Sequence, residues 1–92
     1  MYEVVRSASF RKSLKRLART PEFDIKKLEG VINAISASEK LPEKFRDHEL
    51  KGKMSGMREC HLDSDLLLKY EVDQKLKLVT LLDIGSHSYL FE

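Results

Sequence analysis

At 92 residues the chain has room for one domain with one modest core. Charged residues make up 35% of it, yet the net charge is only +2, so composition alone does not mark a nucleic-acid binder. A single cysteine, Cys60, excludes an internal disulfide and a cysteine-only metal cage, no apolar run is long enough to span a membrane, and Met1-Tyr2-Glu3-Val4-Val5 is no signal peptide; a reducing cytoplasm is the expected setting.

Tyr2, Val4 and Val5 favour extended backbone, so Tyr2 to Arg6 is predicted as a short strand. Ser7 or Ser9 then offers a hydroxyl to cap a helix. In that helix Phe10, Leu14, Leu17 and Ala18 fall on one face, and Arg11, Lys12, Lys15, Arg16 and Arg19 cover the rest. Thr20-Pro21 ends it, because the residue before a proline avoids helical geometry. Asp24 opens a second helix, where Ile25, Leu28, Ile32 and Ile35 recur at helical spacing with Val31 and Ala34 beside them. Gly30 inside it costs about 1 kcal/mol relative to alanine, and a close helix–helix contact is the expected reason for its presence. Residues 42–56 read as a long polar loop.

A hairpin follows. Arg58 to Leu62 alternates, with Glu59 and His61 on one side and Arg58, Cys60 and Leu62 on the other. Cys60 is expected to be a small buried residue rather than a nucleophile. Asp63-Ser64-Asp65 is turn chemistry, and Leu66, Leu68, Tyr70 and Val72 share the buried face of the next strand. After a turn at Asp73-Gln74, Leu76 to Ile84 is the longest strand, with Leu76, Leu78, Thr80, Leu82 and Ile84 facing one way. Gly85-Ser86-His87-Ser88 breaks it, and Tyr89-Leu90-Phe91 closes the chain as an apolar hook. This order predicts an α+β fold, a single domain over residues 1–92, with an N-terminal strand and two helices packed on one face of a small, mainly antiparallel sheet.

Charge is uneven along the chain. Residues 1–21 carry Arg6, Arg11, Lys12, Lys15, Arg16 and Arg19 against Glu3 alone, and residues 44–58 carry Lys44, Arg46, Lys51, Lys53 and Arg58 against Asp47 and Glu49. Two basic stretches can bind a polyanion even when the total charge is near zero. The three histidines, His48, His61 and His87, lie at element edges. Imidazole titrates near neutrality, so it can take and give a proton. Such groups on a basic surface suit metal-free RNA cleavage: one removes the proton of the ribose 2′-OH, that oxygen attacks phosphorus, another protonates the departing 5′-oxygen, and cations stabilise the charge. The rival use of His48, His61, His87 and Asp65 is a zinc site, although their spacing matches no tight ligand motif.

Several blocks recur in one known family. They are Phe45-Arg46-Asp47-His48-Glu49-Leu50-Lys51-Gly52, Arg58-Glu59-Cys60-His61, Asp65-Leu66-Leu67-Leu68-Lys69-Tyr70, Ile84-Gly85-Ser86-His87-Ser88 and Leu90-Phe91. In this order they resemble the YafQ branch of the RelE-type bacterial toxins of type II toxin–antitoxin systems. The resemblance implies a RelE-like fold and a ribosome-dependent mRNA endoribonuclease that uses no metal or other cofactor. It further implies a bacterial cytoplasmic protein, not bound to membrane, monomeric when free and held in a hetero-oligomer by a cognate antitoxin.

Carried over by position, the resemblance makes His48, His61, Asp65 and His87 the catalytic candidates. His87 would be the main acid or base, His61 would touch phosphate or share the proton transfer, Asp65 would orient an imidazole or raise its pKa, and His48 would help from the loop. Glu59 and Phe91 would support the site, while Lys51, Lys53, Arg58 and Arg46 would hold RNA. Arg11, Lys15 and Arg16 of the basic helix are the expected antitoxin contacts. Asp83 departs from the pattern, since the branch usually has arginine there; Leu66 replaces a tryptophan of some members. If the last strand stays extended to its end, Asp83 and His87 share a face, and the reversed charge should reduce cleavage. The alternative function is a catalytically weak module of the same fold that binds an antitoxin or RNA.

Overall fold

The computed structural model describes residues 1–52 and 56–91. Five strands form one sheet in the order β1-β5-β4-β3-β2. β1 (Glu3–Arg6) runs parallel to β5 (Leu78–Gly85), whereas β5, β4 (Leu66–Asp73), β3 (Met57–Asp63) and β2 (His48–Glu49) are antiparallel neighbours. Two helices, α1 (Ala8–Leu17) and α2 (Ile25–Ser36), connect β1 to the rest, and a short α3 (His87–Phe91) ends the described chain.

The helices start where the caps predict. Ser7 Oγ accepts from the Phe10 N–H at 3.0 Å, and Asp24 Oδ1 accepts from the Lys27 N–H at 3.0 Å. Their apolar faces send Phe10, Leu28, Val31 and Ile35 onto Cys60, Leu62, Leu68, Tyr70, Val79, Leu81 and Ile84, which together form the core. Gly30 needs a different account from the expected one. A side chain there would meet nothing within 4 Å, so no close helix–helix contact explains it.

Two departures from regular pairing interrupt the sheet. The β3–β4 register shifts between His61 and Asp63, leaving Leu62 extra; its carbonyl accepts from Lys27 Nζ at 3.2 Å. The β4–β5 register shifts so that Lys69 faces Asp83 but Tyr70 faces Leu81, leaving Leu82 extra; its carbonyl accepts from Ser7 Oγ at 2.7 Å. Such bulges re-aim the side chains beside them. The second one corrects the predicted face of the last strand. Val79 and Leu81 are buried, and the core phase then moves to Ile84. Leu76 lies in the preceding turn, 70% exposed. The presumed loop over residues 42–56 is also partly ordered, as a 3-10 turn at Glu43–Phe45 and as β2.

Candidate active site

α1 and α2 cover one face of the sheet. On the other, pairing sets polar side chains in rows. His48, Glu59, Lys69 and Asp83 are successive register partners across β2, β3, β4 and β5, and His61, Leu67 and Gly85 form the next row. Strands about 4.8 Å apart therefore bring together residues distant in sequence. His48 stands on the edge strand β2 rather than in a loop, which corrects its expected setting.

His48 and His61 meet at Glu59. Glu59 Oε1 lies 3.1 Å from His48 Nε2 and 4.0 Å from His61 Nε2, and the two rings stack with centroids 6.3 Å apart. His48 Nδ1 donates to the Arg46 carbonyl at 2.7 Å. That carbonyl is aimed by Arg46 itself, whose φ of 46° is left-handed and unusual for a non-glycine residue. His48 thus has an oxygen acceptor within reach of each ring nitrogen. His61 differs. Its Nδ1 and Glu59 Oε2 are buried without a partner among the described residues. Burial holds the His61 pKa below its ordinary 6.5; the charges of Arg46, His48 and His87 act the same way and that of Glu59 opposes them. His61 is therefore neutral at pH 7 and can accept a proton. Beside it Lys27, Lys44 and Arg46 line a cleft of about 240 Å³.

His87 opens α3 instead of extending the strand. Its backbone N–H donates to Asp65 Oδ1 at 3.0 Å, so Asp65 ties down the helix start and does not touch the imidazole. The His87 and Phe91 rings lie 5.0 Å apart, and Lys69 Nζ sits 5.8 Å from the centre of the Phe91 ring. Gly85 is required by close approach: a Cβ there would stand 2.6 Å from Tyr89 Cδ2.

Other candidates lie elsewhere. Asp83 does not share a face with His87 along an extended strand; its Oδ1 accepts from Ser13 Oγ at 2.6 Å and from the Ile84 N–H at 2.8 Å. Ser13 also meets the Tyr89 hydroxyl at 3.0 Å, and the Arg16 guanidinium lies 4.9 Å over the Tyr89 ring. Arg58 alternates to the helix-covered side and pairs with Asp47 at 3.1 Å, so it does not join the histidines. Arg11, Lys15 and Arg16 are exposed on α1, and Lys51 is exposed beyond β2. Lys53 lies outside the described residues. Cys60 faces the core with its thiol pushed up to about 12, chiefly by burial, so it is no nucleophile at neutral pH. Among the described residues no three His, Cys, Asp or Glu side chains converge to hold a metal. Sequence reasoning passed over Lys69, although a lone cation within Leu66-Leu67-Leu68-Lys69-Tyr70 was a visible signal.

A family model described as the bacterial toxin of type II toxin–antitoxin system, YafQ, matches residues 2–92. The chain is 31% identical over 86 residues to the mRNA interferase toxin YafQ of Escherichia coli (strain K12), covering 92% of this chain and 90% of that protein. Its fold superposes on a metal-bound toxin from Helicobacter pylori with TM-score 0.92 and 40% identity, over 99% of this chain and 100% of the other. It superposes with TM-score 0.85 and 29% identity, over the full length of both chains (100% each), on a chain of the E. coli DinJ-YafQ complex. No helix among the described residues is long and apolar enough to cross a membrane.

Proposed function

The chain belongs to the YafQ family of bacterial toxins of type II toxin–antitoxin systems, and from that premise we propose that it cuts mRNA on the ribosome by metal-free histidine acid–base catalysis and is silenced by a DinJ-like antitoxin. The observation that carries the chemistry is the unequal treatment of the imidazoles. His61 is held neutral by burial, and Glu59, 4.0 Å from its Nε2, stands ready to pair with the imidazolium it forms on taking a proton. His61 is accordingly the base that removes the 2′-OH proton. The 2′-oxygen attacks phosphorus, the P–O5′ bond breaks, and His87 at the exposed start of α3 gives the departing oxygen its proton. Phe91 beside His87 offers a ring for a base to stack on. His48 fixes the Glu59 carboxylate from the edge strand. Arg46, Lys27 and Lys44 draw the RNA backbone to the neighbouring cleft. The exposed Arg11, Lys15 and Arg16 ridge of α1 is where an acidic or amphipathic antitoxin segment docks.

The test is cleavage of ribosome-bound message in magnesium buffer by toxin previously stripped of transition metals with EDTA, with the new ends mapped. A 2′,3′-cyclic phosphate (or its hydrolysis product) and a 5′-OH are expected, and His87→Ala should abolish both cutting and growth arrest. Loss of cutting by the stripped toxin, with recovery when zinc is added back to it, would replace this mechanism with a metal site.

A further inference from the structure

We propose that Lys69 is the cation that holds the scissile phosphate, a role that rests on the ribonuclease reading above. The argument is positional. Lys69 stands in the middle of the row His48, Glu59, Lys69 and Asp83, with Glu59 its partner on β3 and Asp83 its partner on β5. One imidazole pair lies on its β3 side, gathered at Glu59. On its other side is α3, whose His87 ring packs 5.0 Å from Phe91, itself 5.8 Å from Lys69 Nζ. A phosphate placed between a base at His61 and an acid at His87 therefore comes to Lys69.

The two flanking carboxylates leave this ammonium unclaimed. Asp83 is turned to Ser13 and to its own strand, and Glu59 to the histidines. Among the described residues Lys69 has no carboxylate within 4.0 Å, although it stands on a largely apolar central strand and is half-buried. An ammonium that no neighbouring carboxylate has claimed gains strongly from an anion. During attack negative charge builds on the non-bridging phosphate oxygens, and a cation already in place stabilises it without reorganisation. The same geometry shows how the site keeps a cation although position 83 carries a carboxylate: the positive charge sits one strand over, on β4.

The test compares the parent, Lys69→Met and Lys69→Arg on ribosome-bound message, with His87→Ala as a control. Methionine keeps an unbranched apolar chain and removes the charge. Lys69→Met should lower kcat by about 10²–10³, the usual loss on removing one donor to a developing anion, with little change in KM or thermal midpoint. Lys69→Arg should recover most of that loss. Full-rate cutting by Lys69→Met, or a loss that arginine does not mend, would overturn the assignment while leaving the ribonuclease reading intact. A parent that makes no His87-dependent cuts would overturn both together.

Discussion

Asp47 precedes β2 and Glu59 lies on its partner strand β3, yet the fold treats the two carboxylates in opposite ways. Asp47 turns to the helix-covered side, where Oδ1 accepts from the Tyr70 hydroxyl and Oδ2 from Arg58 at 3.1 Å. Glu59 turns to the open side, shares Oε1 between two imidazoles and leaves Oε2 buried without a partner among the described residues. A carboxylate with both oxygens bonded to fixed donors has little left to give, so Asp47 is a fastening between the β2 segment and the sheet. A buried oxygen without a donor costs about 1–3 kcal/mol, and a catalytic role is one of the reasons such a group is retained. On the proposed mechanism, the contrast separates residues that hold the site from residues that act in it.

The largest effect should come from the group that Glu59 faces. His61→Gln should cut the cleavage rate by about 10²–10⁴, as expected on losing a general base, without lowering the thermal midpoint at neutral pH. The linkage sign sharpens this. The folded-state pKa of His61 is below its ordinary 6.5, so in the window just below 6.5 the unfolded chain binds a proton that the folded chain does not. Stability therefore rises with pH there and falls on acidification. Melting from pH 7 down to pH 5 should cost the parent more than it costs His61→Gln; equal losses would show that His61 is not held neutral.

Glu59→Gln should rank second. It keeps the shape but removes the charge that pairs with a protonated His61. Losing one charge-assisted bond of about 1.5–3 kcal/mol in the transition state corresponds to about 10–100-fold in rate. Asp47→Asn should do the reverse. It weakens a fastening, so a loss of about 1–3 kcal/mol in stability is expected, or several degrees in thermal midpoint for a domain of this size, with kcat unchanged once the protein is folded. If Asp47→Asn slows the chemistry as much as Glu59→Gln does, the division between holding and acting fails.

Much of this was legible in the chain. The caps at Ser7 (one of two serines offered, with Ser9) and Asp24, the alternation that parts Glu59 and His61 from Cys60, and the apolar face of β4 follow from local spacing, and the structure carries them. What local spacing could not carry were the long-range adjustments. An extra residue in a bulge leaves no mark in an alternating pattern, so the bulge at Leu82 hid both the true core phase of β5 and the direction of Asp83. A two-residue edge strand such as β2 exists only because β3 offers a partner, which is why His48 read as loop. Lys69 was visible as a charge in an apolar run, but its neighbours Glu59, Asp83 and Phe91 come from three other elements. Ser13 is fully buried on an otherwise basic helix because it meets Asp83 and Tyr89, partners about seventy residues away that no local spacing reveals.

Asp83 extends the comparison and should give the smallest effect. An acid in place of a family arginine first suggests repulsion of phosphate, and by that logic Asp83→Asn should speed cleavage and Asp83→Arg should speed it more. The geometry argues otherwise. The carboxylate resembles Asp47 in being occupied: Ser13 Oγ at 2.6 Å and the Ile84 N–H at 2.8 Å both donate to Oδ1. Through Ser13 it reaches the Tyr89 hydroxyl, and so it helps seat the helix that carries His87 and Phe91. Asparagine keeps an acceptor oxygen at that point and loses only charge, so Asp83→Asn should cost about 0.5–1.5 kcal/mol of stability and change the cleavage rate by no more than about threefold, or roughly 0.65 kcal/mol in the barrier. Arginine has no acceptor to offer Ser13 or the Ile84 N–H. Asp83→Arg should therefore loosen α3 and lower both stability and cleavage. Thermal melts alongside single-turnover cutting at matched concentration decide the matter. Cutting that rises in the order Asp, Asn, Arg would mean that the charge at position 83 acts on the phosphate directly, and that Asp83 belongs with Glu59 among the acting groups rather than with Asp47.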